Sequence, residues 1–191
     1  VEVFSQARAK ESIRNADVVI QMIDALEGFS RDDLDIFRYI IEYKKSVVFA
    51  INKWDLVRDM TPERYTDEIR KAVAFASWVP MVFISCKTGD NIFRALEKVQ
   101  EVYNNAKQIF PTPELNRAIH RVEKSESRFF YQRKQIKILY MTQKSSQPIV
   151  FVIFTNVKPV PAYLAYVERI LRKVFPLEGV TISFEVRERE R

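Results

Sequence analysis

Glycine and cysteine are scarce in this sequence of 191 residues, which has three glycines and one cysteine. A single cysteine permits no disulfide within the chain, and this favours a reducing compartment, the cytoplasm, over a secreted scaffold. The glycines, Gly28, Gly89 and Gly179, are too far apart to form a phosphate-binding Gly-x-x-x-x-Gly-Lys loop. No apolar run approaches the roughly 18 residues that a membrane-spanning helix needs. We therefore expect no disulfide, no phosphate loop of this type and no membrane association.

The net charge of +6 is unevenly distributed along the chain. Residues 1–111 contain 16 basic and 17 acidic side chains, for a net charge of −1, whereas residues 112–191 contain 15 basic and 8 acidic ones, for a net charge of +7. A neutral part followed by a basic part is typical of a catalytic or regulatory domain joined to a polyanion-binding domain. The alternative is a solvated basic surface that serves solubility. Charge alone does not decide between the two, because it indicates partners and not fold.

The first part of the sequence alternates between helical patterns and short apolar runs. The apolar runs end near Asp24, Ile51 and Ile84, and their Val and Ile content is typical of strands buried on both faces. Ser30 and the pair Thr61-Pro62 are of the residue types that begin helices. Strands that alternate with helices predict an α/β fold with a mostly parallel, doubly wound sheet, which binds ligands at the carboxyl ends of its strands.

The second part has a different order of elements. Two prolines, Pro111 and Pro113, predict a linker or hinge, with Thr112 as the cap of a following helix. The later patterns indicate strands over 135–142, 148–154 and 179–186 and a helix over 162–175. This order predicts a compact α+β domain of about 80 residues. We therefore expect two domains, at 1–111 and 112–191.

A tetrapeptide of Asn52, Lys53, Trp54 and Asp55 directly follows the second predicted strand. A carboxylate there can accept hydrogen bonds from the ring N–H and the exocyclic amine of guanine, whereas adenine presents the opposite polarity. The Asn52 amide can join loops and reach the purine N7, and the stem of Lys53 can lie over the ring or the ribose. Four residues occur together often by chance, so the alternative is a polar exit from a strand.

A second polar cluster, Ser85-Cys86-Lys87, follows the third predicted strand, where a parallel sheet brings it close to the first cluster. The backbone N–H of Cys86 can donate to the guanine oxygen while Ser85 braces the loop. The Cys86 thiol itself is expected to be a small buried group without a redox role. The two clusters together predict a guanine-binding site formed by Asn52, Lys53, Asp55, Ser85, Cys86 and Lys87.

These motifs resemble those of a known protein family. The tetrapeptide 52–55 resembles the NKxD box of translation-factor-type GTPases, and residues 85–87 resemble their SAK box with Cys in place of Ala. Residues 24–33 are similar to the DAxEGxTxQD segment of bacterial GTPases. The start of the chain, the strand over 137–143 and the run over 175–182 resemble the tandem-domain ribosome-assembly GTPases called Der or EngA. The resemblance covers nearly the whole chain.

The resemblance implies a division of the chain and a function for the intact protein. Residues 1–111 would be the carboxyl-terminal part of a P-loop GTPase domain, and residues 112–191 a KH-like domain. The intact protein would bind GTP or GDP with Mg²⁺, hydrolyse GTP and act in assembly of the large ribosomal subunit, and we expect a monomer. The family's phosphate loop and its Asp-x-x-Gly magnesium motif would precede Val1, so we expect this chain to be a fragment. Because positioning of the γ-phosphate is nearly all of the catalysis, the fragment alone should hydrolyse nothing.

The KH-like part lacks the Gly-x-x-Gly loop with which KH domains clamp RNA, since Gly179 is its only glycine. Its basic side chains can instead contact rRNA phosphates without reading sequence, or form a solvated face paired with Glu114, Glu123 and Glu126. Residues 124–135 contain no Gly or Pro where the family usually has a loop with them, which raises the question whether residues are missing there. The candidate rRNA contacts are Arg117, Arg121, Lys124, Arg128, Arg133, Lys134 and Lys137.

A second hypothesis belongs to a different class of function. The chain would be a non-catalytic rRNA- or protein-binding module, and its first domain would be a scaffold that resembles a GTPase. The aromatic run of Phe129, Phe130 and Tyr131 can either stack on bases or pack inside the protein. A phosphate loop and an Asp-x-x-Gly motif upstream of Val1 are expected under the first hypothesis only.

Overall fold

A computed structural model describes the backbone of residues 2–123 and 129–188 and the side chains of residues 8–120 and 129–188. The chain divides into two compact units, of which the first contains residues 1–105 and 178–181 and the second residues 106–177 and 182–191. The elements assigned here to the first unit are α1 (Glu2–Asn15), β1 (Val18–Asp24), α2 (Arg31–Glu42), β2 (Ser46–Asn52), a 3₁₀ turn (Trp54–Leu56), α3 (Pro62–Ala72), a second 3₁₀ turn (Ala74–Ala76), β3 (Met81–Phe83) and α4 (Ile92–Ala106).

The three strands of the first unit form a parallel sheet in the order β1-β2-β3. The central strand β2 is buried along most of its length, as its apolar sequence predicts. On one face Phe37 of α2 and Ile69 of α3 pack with Phe49 of β2, and on the other face Val102 of α4 packs with Ala50. Helices therefore lie on both faces of a parallel sheet.

Two helices begin where the sequence predicts. Ser30 is the N-cap of α2 and forms a capping box with Asp33: its hydroxyl accepts from the Asp33 N–H at 3.1 Å, and the Asp33 carboxylate accepts from the Ser30 N–H at 2.9 Å. Thr61 caps α3, which has Pro62 at its first position. β3 is shorter than the apolar run predicts, because Pro80 has no N–H to donate and contributes only its carbonyl, which accepts from Phe49 at 3.0 Å.

Gly179 belongs to the first unit, although the residues that it contacts there are distant from it in the sequence. Its N–H donates to the Trp78 carbonyl at 2.9 Å, and its carbonyl accepts from the Val47 N–H at 2.8 Å. The Thr181 hydroxyl donates to the Lys45 carbonyl at 2.7 Å. The prediction of a strand over 179–186 is therefore wrong at its start, because the observed strand begins only at Ile182. The reason is that residues 178–181 use their backbone and hydroxyl groups on partners of the first unit and not on a strand ladder.

The described residues of the second unit form two helices and five strands. These elements are α5 (Thr112–Glu123), β4 (Phe130–Tyr131), β5 (Lys134–Gln135), β6 (Ile138–Ser146), β7 (Ile149–Thr155), α6 (Pro161–Val174) and β8 (Ile182–Glu188). One sheet has the order β6-β7-β8, with β6 and β7 antiparallel and β7 and β8 parallel, and the strands β4 and β5 form a separate antiparallel hairpin. A parallel sheet with helices followed by an α+β unit confirms the predicted fold class.

The start of α5 differs from the prediction by one residue. The carbonyl of Pro111 accepts from the N–H groups of Glu114 and Leu115, at 2.9 and 3.1 Å, so the helix starts at Thr112 and not after it. The Thr112 hydroxyl does not cap the helix but lies 3.3 Å from the hydroxyl of Thr142 on β6. The turn predicted over 144–147 is shorter as well, because β6 continues to Ser146.

Within the part of the chain that the structure describes, no helix is long and apolar enough to cross a membrane.

We expect Gly179→Ala to destabilise the first unit more than Gly89→Ala. Both glycines have a positive φ, +71° and +85°, so alanine costs roughly 1–2 kcal/mol of strain at either position. At Gly179 the added methyl group would also collide with the side chain of Val102, which adds about 1–3 kcal/mol of overpacking, whereas Gly89 has open space around it. Urea unfolding followed by tryptophan fluorescence measures both losses, and equal losses would contradict the close approach to Val102.

Candidate functional site

The ends of the first unit's strands meet at one edge of the sheet. The parallel register places Asp24, the last residue of β1, beside Asn52, the last residue of β2. Past the strand ends, the Ala25 N–H donates to the Asn52 carbonyl at 2.9 Å, and the Trp54 N–H donates to the Ile84 carbonyl at 3.1 Å. The segment after β2 therefore lies between the segments that follow β1 and β3.

The Asn52 amide joins two of these segments. Its Oδ1 accepts from the backbone N–H of Cys86 at 2.9 Å, and its Nδ2 lies 3.6 Å from the sulfur of Met22, a weak acceptor. The Cys86 N–H, which the sequence suggested as a donor to guanine, is engaged by Asn52 in this structure. The following backbone N–H, that of Lys87, has no hydrogen-bond acceptor among the described residues. It is therefore the backbone donor that this loop can offer to a ligand.

Lys53 has an unusual backbone conformation and an acidic partner. Its φ of +62° is in the left-handed region, where it turns the chain from β2 into the 3₁₀ turn 54–56. Its Nζ forms an ion pair with the carboxylate of Asp24. This partner lowers the pKa of the Asp24 carboxyl, and the Leu26 N–H, 2.9 Å from Asp24 Oδ1, acts in the same direction. Asp24 in turn raises the pKa of the Lys53 ammonium.

Trp54 anchors the turn that carries Asp55. Its ring centroid lies 4.4 Å from that of Phe83 and 5.5 Å from that of Tyr65, so the turn is packed against β3 and α3. The Asp55 side chain next to it is exposed, and within the described part of the chain it has no hydrogen bond or ion pair. A carboxylate on an anchored turn, without a protein partner, can accept two hydrogen bonds from a ligand.

Ser85 lies inside the turn that follows β3. Its side chain is buried, its hydroxyl accepts from the Thr88 N–H at 3.1 Å, and its carbonyl accepts from the Gly89 N–H at 2.9 Å. Cys86 and Lys87, on the same turn, are exposed. The exposed thiol of Cys86 corrects the expectation of a buried one, because the turn directs residues 86–90 to the surface.

The edge of the sheet offers groups that suit a planar, polar ring. It presents the Asn52 amide and the Asp55 carboxylate at the end of β2 and the Lys87 N–H on the neighbouring loop after β3, and Lys53 adds a long apolar stem. Among the described residues, no group of three or more His, Cys, Asp or Glu side chains could hold a metal ion. The carboxylate, amide and N–H groups at this edge fit a nucleobase.

Sequence reasoning missed two residues of this edge. Asp24 ends β1 as an acidic residue after an apolar run, and that signal could have placed it beside Asn52. Tyr65 had no such signal: its ring is buried, and its hydroxyl lies 3.5 Å from the Asp24 carbonyl. Burial, followed by the charge of Asp24, raises the pKa of the Tyr65 hydroxyl.

The candidate rRNA contacts lie in the second unit, and the structure describes four of the seven side chains. Arg117 is exposed on α5, Arg133 and Lys134 are exposed at the hairpin of β4 and β5, and Lys137 is exposed before β6. None of these four side chains forms an ion pair with a carboxylate among the described residues, Glu114 included. The other three candidates lie outside the described side chains, and so do two of the acidic residues expected to pair with them: Arg121, Lys124, Arg128, Glu123 and Glu126. Residues 124–128, in the segment where the sequence left open whether residues are missing, are also outside the described part of the chain.

Comparisons with known families cover nearly the whole chain. The family model for the GTP-binding domain of elongation factor Tu matches residues 3–111, and the model for the KH-domain-like, C-terminal region of EngA bacterial GTPases matches residues 110–187. A translation-factor-type GTP-binding domain is thus followed by a KH-like domain. The chain belongs to the Der family of GTPases, also called EngA, which confirms the resemblance found in the sequence.

Several curated relatives named GTPase Der match this chain along its length. The identity is 32% with the protein of Chlorobium phaeobacteroides and 35% with that of Caldanaerobacter subterraneus, over 99% of this chain and 44% of each relative. It is 36% with the protein of a Sulfurihydrogenibium species, over 100% of this chain and 43% of the relative. The chain therefore spans less than half the length of these relatives. A solved structure of Era with MgGDPNP and a segment of 16S ribosomal RNA has a TM-score of 0.45 at 20% identity, covering 94% of this chain and 67% of that one.

We expect the pKa of the Asp24 carboxyl to rise in a Lys53→Met variant, because the methionine keeps the apolar stem and removes the charge. The remaining hydrogen bond from Leu26 should keep that pKa below its ordinary value. NMR titration of the carboxyl carbon measures the change. Lys87→Met on the neighbouring loop is the matched control and should leave the pKa unchanged.

The direction of the pKa shifts also determines how this pair responds to pH. The folded-state pKa of Asp24 is lowered, so its stabilisation is present above the unfolded value and is lost as pH falls through the folded one. The folded-state pKa of Lys53 is raised, so its stabilisation is present below the unfolded value and is lost as pH rises through the folded one. The Lys53 side chain is exposed and that of Asp24 is partly exposed, so solvent screens the pair and the effect on the free energy of unfolding should be small. A large loss of stability in Lys53→Met would contradict this reading.

Proposed function

We propose that the first unit recognises the guanine base of GTP and GDP at the edge formed by Asn52, Lys53 and Asp55 and by the loop of Ser85, Cys86 and Lys87. The observation that carries the proposal is the 2.9 Å hydrogen bond between Asn52 Oδ1 and the Cys86 N–H, because it holds the two loops on either side of one space. Asp55 then accepts from the ring N–H and the exocyclic amine, and the Lys87 N–H donates to the guanine oxygen. An adenine would leave the Asp55 carboxylate without its donors.

We further propose that the phosphates and Mg²⁺ are held by a preceding segment of a longer protein. Parallel sheets are normally covered on both faces, yet Ile20 and Met22 of β1 are 43% and 53% exposed. The register places them beside Val48 and Ala50, whose face α4 covers. β1 is also an edge strand, paired only with β2 among the described strands. A further strand and helix would cover this surface, and the length of the relatives supports such a segment.

The domain boundary and the biological role are part of the same proposal. Residues 1–111 are the carboxyl-terminal part of a GTPase domain, and residues 112–191 are a KH-like domain whose basic side chains contact rRNA phosphates. The intact protein is a monomeric cytoplasmic GTPase that acts in assembly of the large ribosomal subunit. Membership in the Der family and the four exposed cations without ion pairs support this role.

In the intact protein, Asp55→Asn should shift nucleotide preference from guanosine to xanthosine. The asparagine amide donates where the carboxylate accepted, and xanthine presents an acceptor at that position. Competition binding with GDP and XDP measures the preference, and we expect a loss for GDP of at least about tenfold, in line with the ~1.5–3 kcal/mol that a hydrogen bond to a charged group contributes. Asp59→Asn, on the same loop, is the matched control. Unchanged selectivity in Asp55→Asn would refute base recognition by Asp55.

The 191-residue chain by itself should release no phosphate from GTP above the buffer rate. The reason is that catalysis of this reaction consists of positioning and stabilising the γ-phosphate, and the sequence contains no Gly-x-x-x-x-Gly-Lys phosphate loop. A phosphate-release assay with the intact protein as positive control tests this. Hydrolysis by the chain alone would overturn the proposed division of the site.

A further inference from the structure

One face of the second unit's sheet is packed against its helices, whereas the other is partly open. On β7 the residues Ile149, Phe151 and Ile153 are fully buried, as expected for the packed face. Of the alternating residues of the same strand, Val152 is buried, whereas Val150 and Phe154 are partly buried, and Tyr140 on β6, the cross-strand partner of Phe154, is 44% exposed. The open face is therefore open at its Tyr140–Phe154 end, where two aromatic rings reach solvent.

These rings belong to a row that runs across all three strands. The register pairs Tyr140 with Phe154 and Phe154 with Arg187. The two ring centroids lie 5.9 Å apart, and the Arg187 guanidinium lies 5.9 Å from the Phe154 centroid. We call Tyr140, Phe154 and Arg187 the stacking row. Each member has a planar group on which a nucleobase can stack, because every base has a π face.

The charge around the stacking row is positive. Glu185 binds two cations, Lys144 at 2.7 Å and Arg187 at 2.8 Å, so one positive charge remains among these three side chains. Lys137 precedes β6 between the buried residues Ile136 and Ile138, and period-two alternation therefore places it on the open face. Asn156 connects this end of β6 to the hairpin: it donates to the Gln135 carbonyl at 2.9 Å and accepts from the Lys137 N–H at 2.8 Å.

The combination of planar groups and cations distinguishes between kinds of partner. A surface for an apolar protein segment would be a wider patch of aliphatic side chains, whereas here two rings and one exposed aliphatic residue, Leu139, stand near Lys137, Lys144 and Arg187. Bases in a duplex are stacked inside it and cannot reach rings on a sheet, whereas unpaired bases can. A single strand offers both a base to each ring and phosphates to the cations.

We propose that the open face of the β6-β7-β8 sheet binds single-stranded RNA, with bases stacked on Tyr140 and Phe154 and phosphates at Arg187, Lys144 and Lys137. The inference deepens the proposed role of the second unit in rRNA contact and is independent of the guanine site. It replaces a purely electrostatic contact by one in which aromatic rings hold unpaired bases. It also gives this unit, which lacks a Gly-x-x-Gly loop, a different surface for RNA.

The test uses the 191-residue chain and a fluorescein-labelled single-stranded 12-nucleotide oligo(U), with binding followed by anisotropy at several salt concentrations. Tyr140→Leu and Phe154→Leu keep apolar volume but remove the ring, and each should weaken binding roughly tenfold through loss of a stacked base. Tyr140→Phe should bind as the unchanged chain does, which distinguishes loss of stacking from loss of folding. Leu139→Ala, at an exposed neighbour on β6, is the matched control and should change nothing.

A second set of variants separates stacking from charge. Lys137→Gln should reduce the salt dependence of binding, by about 0.7 in the logarithmic slope for one lost phosphate contact, whereas the ring variants should leave the slope unchanged. If the ring variants bind normally while Lys137→Gln weakens binding, base stacking on Tyr140 and Phe154 is refuted. The phosphate contacts under the proposed function would then remain supported. Binding of duplex RNA as tight as that of oligo(U), or no binding of oligo(U) at low salt, would also overturn the inference.

Discussion

The parallel register of β1, β2 and β3 is the constraint on which the candidate guanine site depends. It places Asp24 beside Asn52 and lets the segments after all three strands bond to one another. A slip of one residue would move a strand end by about 3.3 Å and turn its side chains to the other face. The ion pair between Lys53 and Asp24 and the hydrogen bond between Asn52 and Cys86 would then be lost together. Phe49 and Ala50 of β2 pack on opposite faces of the sheet, so a slip of one residue would exchange a ring and a methyl group between the two packed layers.

A four-residue segment remote in the chain completes the same unit. Gly179 bonds to Val47 at the start of β2 and to Trp78 before β3, and Thr181 bonds to Lys45. Lys98 of α4 forms an ion pair with Glu178 at 3.1 Å. The segment thus ties together the amino-terminal ends of the strands, opposite the ends that carry the candidate site. The positive φ of Gly179 and the closeness of Val102 explain why this position is occupied by glycine.

The two faces of the second unit's sheet differ in chemistry. The core lies on the face that the helices cover. Side chains on β6, β7 and β8 alternate between the two faces, so the residues on the other face need not be apolar. On the other face Glu185 of β8 forms ion pairs with Lys144 and Arg187, at 2.7 and 2.8 Å. These cations lower the pKa of the Glu185 carboxyl, so it keeps its charge and its two partners at neutral pH.

Local patterns of residues predicted much of this protein. Apolar runs, the capping residues Ser30 and Thr61 and the alternation of strands with helices predicted the parallel sheet, and the NKxD and SCK motifs predicted its family. Patterns of this kind are local, so they cannot show which distant groups meet. The pairing of Asp24 with Lys53, the engagement of the Cys86 N–H by Asn52 and the departure of residues 178–181 from the last strand were decided by tertiary structure. The stacking row was decided there too, since Tyr140, Phe154 and Arg187 are neighbours only through the pairing of three strands. The sequence by itself thus determined the kinds of groups available and the elements that carry them, and the folded chain decided their partners, because hydrogen bonds and ion pairs form between groups that are adjacent in space.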